Sequence, residues 1–222
     1  MAAGLVVTSF VRPDPKEIAA SYPAERDDTG TAAPLREILR RPGVPAAIVA
    51  VVASFSVMAS VMNLSGYIAI GRGHDEGDVF TMISVHIVGM YGLVLVVGGL
   101  IDRFGARRAL VAGLLVMAVS NAALAWFGGV AGMSLSLLGL GLGWNVSYVA
   151  ATTELVSLTA PSERGRLVGF SDLCASFVAA GLALLGGLVY SGAGVTALAL
   201  AAAALAVVPG LWLAARPKPA VA

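Results

Sequence analysis

Two sets of polar residues recur at one spacing within otherwise apolar stretches. Ser56, Ser60, Asn63 and Tyr67 fall at i, i+4, i+7 and i+11, and Gly141, Asn145, Tyr148 and Thr152 repeat those intervals. On a helix of 3.6 residues per turn each set forms one stripe. In an apolar medium such hydroxyl, amide and phenol groups hydrogen-bond either a solute or a neighbouring helix. The matched placing favours a solute, so Ser60, Asn63, Tyr67, Asn145, Tyr148 and Thr152 are the candidate pathway residues. His86 and Asp172 are the titratable groups inside apolar runs. They are the candidates for proton coupling, imidazole because it titrates near neutrality. The alternative for His86 is a fixed bond to a neighbouring helix. A single cysteine, Cys174, excludes a disulfide framework and a cysteine-rich zinc site. The turn His74-Asp75-Glu76-Gly77-Asp78 lacks a recognised cation-ligand spacing and reads as a solvated acidic turn. No metal or cofactor is expected.

The elements that must hold these residues follow from composition. Of 222 residues, 58% are hydrophobic and only 12% charged. So few charges cannot cover so much apolar surface in water, and lipid is the solvent for most of the chain. A net charge of +1 gives no case for nucleic acid. The uncharged runs between Arg41 and Arg72 and between Asp78 and Asp102 are each long enough for one membrane-spanning helix. The longer runs between Arg108 and Glu154 and between Asp172 and Arg216 each hold two, divided at Gly128-Gly129 and at Ser191-Gly192-Ala193-Gly194. The expected spans lie near Ala46 to Ile70, Val79 to Ile101, Ala109 to Phe127, Ala131 to Thr153, Leu167 to Tyr190 and Val195 to Ala215, with Pro209 only bending the last. Thirteen of the 14 Lys and Arg residues lie on the side of the termini and of the second and fourth connections, against Arg72 alone on the other. The positive-inside rule therefore places both termini in the cytoplasm, for a multi-pass protein of the plasma (inner) membrane.

Four segments result. Residues 1–11 read as the remnant of a preceding transmembrane helix, with a short interfacial or disordered leader as the alternative. Residues 12–44 form a cytoplasmic linker with a short amphipathic helix around Leu35 to Arg41, residues 45–216 the six-helix bundle, and residues 217–222 a cytoplasmic tail. Gly139, Gly141 and Gly143 are small-residue steps for close helix packing. The third and sixth spans carry the fewest polar residues and are expected at the lipid-facing periphery. Glu154, at a span boundary, reads as solvated.

The second connection runs Gly98-Gly99-Leu100-Ile101-Asp102-Arg103-Phe104-Gly105-Ala106-Arg107-Arg108. Gly98 permits a close helix contact, Asp102 caps charge at the membrane edge, Gly105 makes a tight turn, and the arginines hold the loop at the cytoplasmic surface. This stretch resembles the G-x-L-a-D-R-x-G-R-R/K-R loop of the major facilitator superfamily, with Ala106 in place of the usual arginine. Pro161-Ser162-Glu163-Arg164-Gly165-Arg166-Leu167-Val168-Gly169-Phe170 resembles that family's loop between the fourth and fifth helices of a half. The resemblance spans Arg36 to Pro217 and is to the C-terminal half of a twelve-helix transporter. It implies an all-α fold of two inverted three-helix repeats, with the first and fourth helices lining the cavity, the second and fifth facing the other half, and the third and sixth outside. It also implies a cytoplasmic gate of Gly98, Asp102, Arg103, Gly105, Arg107, Arg108, Glu163 and Arg164, in which Glu163 and Arg164 are charge partners for Arg107 or Asp102.

The expected activity is alternating-access transport of a small solute, with the lipid bilayer and an N-terminal six-helix half or a second copy as partners. One bundle cannot enclose a cavity alone, so a truncated or noncatalytic membrane fragment or interaction subunit is the alternative. An intramembrane serine protease would need Gly-x-Ser-Gly, and Asn63-Leu64-Ser65-Gly66 lacks the first glycine. The chain is therefore not expected to be an enzyme.

Overall fold

A computed structural model describes residues 33–216, so the expectations for residues 1–32 and 217–222 lie outside the described residues. Within them every regular element is a helix: α1 (Leu35–Ile38), α2 (Val44–Gly71), α3 (Glu76–Tyr91), α4 (Val94–Phe104), α5 (Ala106–Ala123), α6 (Val130–Ser157) and α7 (Pro161–Ala215). The amphipathic segment expected over Leu35 to Arg41 is thus a single turn, with Ile38 as its buried residue. α2 and α6 have 28 residues each. That makes them about 42 Å long, more than a hydrocarbon core of about 30 Å requires.

Two helices differ from the expected spans. The second span is not one straight helix: α3 and α4 meet at a 44° bend. Leu93 there leaves helical geometry. A Cβ on Gly92 would lie 2.6 Å from the Val88 carbonyl oxygen, so a glycine at the bend lets the chain turn that closely. The fifth and sixth spans follow one another within the 55 residues of α7 without an intervening loop, but Gly194 divides them into two helices with φ 78° and ψ −179°. A straight helix of that length would be about 80 Å, far more than one bilayer crossing needs. The bent pair as one pass, α7 as two, and α2, α5 and α6 together give six. The helix runs on through Pro209.

Only glycine tolerates the Gly194 backbone, yet no atom lies within 4 Å of a Cβ built there. Gly194→Ala should therefore cost about 1 kcal/mol through backbone strain alone, seen as a lowered unfolding midpoint in detergent with the helix content unchanged.

Association of helices in lipid rests on close packing. α6 is the centre of it, packed against α5, α3 and α2, while α7 packs against α2 and α5. Gly139 and Gly143, one turn apart, face α5: a Cβ at Gly143 would stand 2.7 Å from the Gly113 carbonyl oxygen, and one at Gly139 would overlap the Ser120 hydroxyl. Gly141, between them, faces α3, 2.6 Å from the His86 carbonyl oxygen by the same construction. α5 is less peripheral than its composition implies. It lies against both α6 and α7, and it buries Asn121 fully.

The two ends of the bundle are tied by polar contacts. At the end opposite the Arg103–Arg108 turn, Arg72 donates to the carbonyls of Leu124 (2.7 Å) and Phe127 (3.1 Å), and His74 Nε2 lies 2.7 Å from the Gly128 carbonyl oxygen. These bonds meet carbonyls left over where α5 ends. Asp75, in the turn expected to be merely solvated, caps α3 by accepting from the Asp78 amide at 2.9 Å.

Candidate functional site

The α6 stripe divides by function along its length. Gly141 is spent on the α3 crossing. Asn145 is buried and donates its amide to the Met90 carbonyl. That carbonyl lies close to the bend where α3 stops and helical partners are lost. Below them the face opens. Tyr148, Val149, Thr152, Thr153, Val156, Ser157 and, from α7, Arg164 line a hollow of about 550 Å³. The volume is that of a small-molecule site. Seen from the stripe, Tyr148 and Thr152 reach the hollow, and Asn145 does not.

The α2 stripe divides the other way. Ser56 and Ser60 are buried in the bundle, and the Ser60 hydroxyl donates to the Val57 carbonyl of its own helix at 3.1 Å. Asn63 is exposed, as is Tyr67, which meets Tyr190 edge to face at 5.9 Å. Of the candidate pathway residues, Ser60 and Asn145 are thus buried and bonded within the bundle, Asn63 and Tyr67 are exposed, and Tyr148 and Thr152 line the hollow.

Around Tyr148 lies a group of rings. Trp144, one turn earlier, stacks on it at 5.2 Å and 19°, Phe55 of α2 lies 6.0 Å away, and Tyr91 meets Trp144 edge to face at 6.3 Å. The Tyr148 hydroxyl donates to Asp172 Oδ1 at 2.9 Å, which places the one acid of the fifth span beside the hollow. His86 is 1% exposed, and its Nδ1 lies 2.7 Å from the Leu137 carbonyl oxygen on α6. One ring nitrogen thus meets the neighbouring helix, and Nε2 is buried without a hydrogen-bond partner.

The charged residues at the basic end pair differently from the expected scheme. Glu163 does not meet Arg107 or Asp102. It accepts from Arg41 Nη1 at 2.6 Å and Nη2 at 2.8 Å, from the Ala33 amide at 3.3 Å and from the Ala160 amide at 3.2 Å. The Ala160 bond is a side chain at the third helical position reaching back to the cap, the reason α7 starts at Pro161, ahead of the apolar run that opens at Leu167. Arg41 is the main cause that holds the Glu163 carboxyl below the usual carboxylate range, against the opposing effect of burial. Arg107 reaches Glu154 at 3.4 Å and the Leu213 carbonyl at 3.1 Å, so it links α5, α6 and the end of α7. Glu154, expected to be solvated, is therefore a partner, its side chain 12% exposed. Asp102, Arg103 and Arg108 are exposed, with Arg103 over the Phe104 ring. Gly105 turns with φ 84°, but nothing lies within 4 Å of a Cβ at Gly98, so Gly98 serves no close contact among the described residues.

Sequence reasoning missed Arg41, Glu154 and the ring group. The Trp144–Tyr148 interval of four was its available signal; the partners of Arg41 and Phe55 lie on distant helices.

Six apolar passes, arginine-rich turns at one end and a solute-sized hollow beside the fourth pass define a polytopic helical membrane protein with the architecture of a transport half. Comparison with known proteins agrees. The profile of the Major Facilitator Superfamily matches residues 1–157 and again 46–222, and the chain belongs to this family of membrane transporters. Overlapping placements are natural where the two halves of a fold are themselves repeats. The chain is 34% identical to a riboflavin transporter, RfnT, of Brucella anthropi over 78% of its length and 42% of that protein's. It is 30% identical to the uncharacterized MFS-type transporter YdeG of Bacillus subtilis (90% of this chain, 48% of that one) and 27% identical to YddS of the same organism (91% and 48%). The chain thus spans less than half the length of these curated relatives.

Proposed function

We propose that the chain acts as the C-terminal six-helix half of a secondary active transporter, exposing a small solute alternately to the two sides of the plasma membrane. The observation that carries this reading is the hollow against Tyr148 and Thr152, on the helix whose polar spacing first marked it as pathway-lining. The basic end is the cytoplasmic end under the positive-inside rule. Its gate consists of Arg107 with Glu154, Arg41 with Glu163, the exposed Asp102, Arg103 and Arg108, and the half-buried Arg164. Asp172 is the better candidate for proton coupling, because it bonds Tyr148 at the hollow, whereas His86 does not line the hollow. The second half covers the apolar surface of α4 (Val94, Leu95, Val96) and of the first part of α7 (Phe177, Leu184, Leu188), all exposed in this chain. Riboflavin is the first solute to test, on the strength of the Brucella anthropi relative.

The test is solute flux in vesicles containing the chain together with a matching N-terminal half. Asp102→Asn should slow flux several-fold while membrane insertion stays intact. Unchanged flux in that variant would remove Asp102 from the gate, and no flux of any solute in the unmodified assembly would remove the transport reading.

A further inference from the structure

Resting on the reading that α6 lines the solute pathway, we infer that the hollow takes a planar aromatic solute carrying an acidic group, with the ring on Tyr148 and the acid at Arg164. The lining positions 148, 149, 152, 153, 156 and 157 form one face of α6. The helical rise from the first to the last makes that face about 14 Å long, enough for a fused ring and a substituent laid along the helix.

The ring end is built for a flat partner. Tyr148 is stacked on Trp144, backed by Phe55 and held by its bond to Asp172, so its plane is fixed before any solute arrives. The donors on offer set the rest. Thr153 donates to the Val149 carbonyl at 2.8 Å and Ser157 to the Glu154 carbonyl at 2.8 Å, so neither hydroxyl has its proton to give. Arg164 does: its Nε is buried without a hydrogen-bond partner, and no carboxylate stands within ion-pair distance of it among the described residues. Of the nearby acids, Glu163 is taken by Arg41, Glu154 by Arg107, and Asp172 lies at the Tyr148 end. A cation at one end and a carboxylate at the other orient an acidic solute in one direction only.

The experiment is calorimetric titration of the full chain in lipid nanodiscs, referenced to empty nanodiscs. The probes are 2-naphthoate, its saturated decalin analogue and neutral 2-naphthalenemethanol. Naphthoate should bind saturably and roughly three- to tenfold more tightly than the saturated acid, the range of a ring-on-ring contact. Tyr148→Ala should erase that ring preference, and Tyr148→Phe should keep it. Arg164→Gln should erase the preference for the acid over the alcohol and leave the ring preference in place. Equal binding of the planar and saturated acids, or loss of the ring preference in Tyr148→Phe as well as Tyr148→Ala, would overturn the inference. A second measurement separates it from the reading beneath it. Thr152→Cys, in a Cys174→Ser background, is treated with a membrane-impermeant maleimide from each side of a vesicle. Modification without naphthoate binding defeats the solute class and leaves the pathway standing; no modification from either side defeats the pathway itself.

Discussion

Gly143→Leu should leave the chain unable to hold α5 against α6. Even a single Cβ at this position would stand 2.7 Å from the Gly113 carbonyl oxygen, 2.7 Å from Met117 Cγ and 2.8 Å from the Met117 amide nitrogen. Two of those three atoms are backbone, which no rotamer change can move. The helices would have to separate by more than half an ångström to reach ordinary contact, giving up dispersion along their whole crossing. Gly143→Ala alone should cost about 2–3 kcal/mol, at the upper end of overpacking penalties, and leucine more. Gly113→Ala should match it, since its Cβ would meet the Ser147 amide nitrogen at 2.6 Å and the Gly143 carbonyl oxygen at 2.7 Å. The double variant should cost less than the sum, because one separation makes room for both methyls. Two controls discriminate close packing from general intolerance of glycine replacement. Gly139→Ala meets only the movable Ser120 side chain and should cost less, and Gly99→Ala, with nothing within 4 Å, should be near neutral. Unfolding midpoints in mixed detergent micelles would rank all six variants. A Gly143→Ala midpoint equal to that of Gly99→Ala would remove the crossing from the account.

How far the sequence could be read divides along one physical line. Lipid forbids charge within a span, so the uncharged runs located the passes, and Gly139, Gly141 and Gly143 could be read as packing steps from their size alone. The 44° bend at Gly92–Leu93 left no such mark, because a glycine in an apolar run is equally a packing step or a turning point until its neighbours are known. Asn145 shows the same limit for polar residues. A stripe at helical spacing states which side of α6 is polar, but whether an amide faces a solute or seals the carbonyl of Met90 depends on where α3 stops.

Charges were harder still. Arg41 and Glu163 are 122 residues apart, and Arg41 and Ala33, at the two ends of the 33–41 segment, both bond the buried Glu163 carboxylate. Nothing in the local pattern distinguishes that glutamate from a solvated one at the first turn of a helix, where acids are favourable in any case. The same blindness assigned Glu154 to water when it meets Arg107.

Glu163 therefore yields the second large effect. Its side chain is 4% exposed and that of Arg41 is 34%, so removing the carboxylate leaves one guanidinium that can partly rehydrate and two backbone amides that lose their acceptor. Loss of a fully buried pair costs about 3–5 kcal/mol. Partial exposure of Arg41 lowers the figure, and Glu163→Ala should lose about 2–3 kcal/mol. Because Arg41 holds the Glu163 carboxyl below its ordinary range, the bound carboxylate stabilises the fold fully above the unfolded-state value of about 4.3. That contribution is lost as pH falls through the lower folded-state value. Wild type and Glu163→Gln should accordingly differ in unfolding midpoint between pH 5 and 8 and converge in stronger acid. Arg41→Gln should behave alike, and the double variant should be little worse than either single one. Proteolysis at the Arg40–Arg41 bond adds a local readout: if Glu163 straps this segment to α7, cleavage in Glu163→Gln must rise at neutral pH while α6 and α7 stay protected. A midpoint difference without that rise would mean that Glu163 acts only as the cap of α7, through the Ala160 amide.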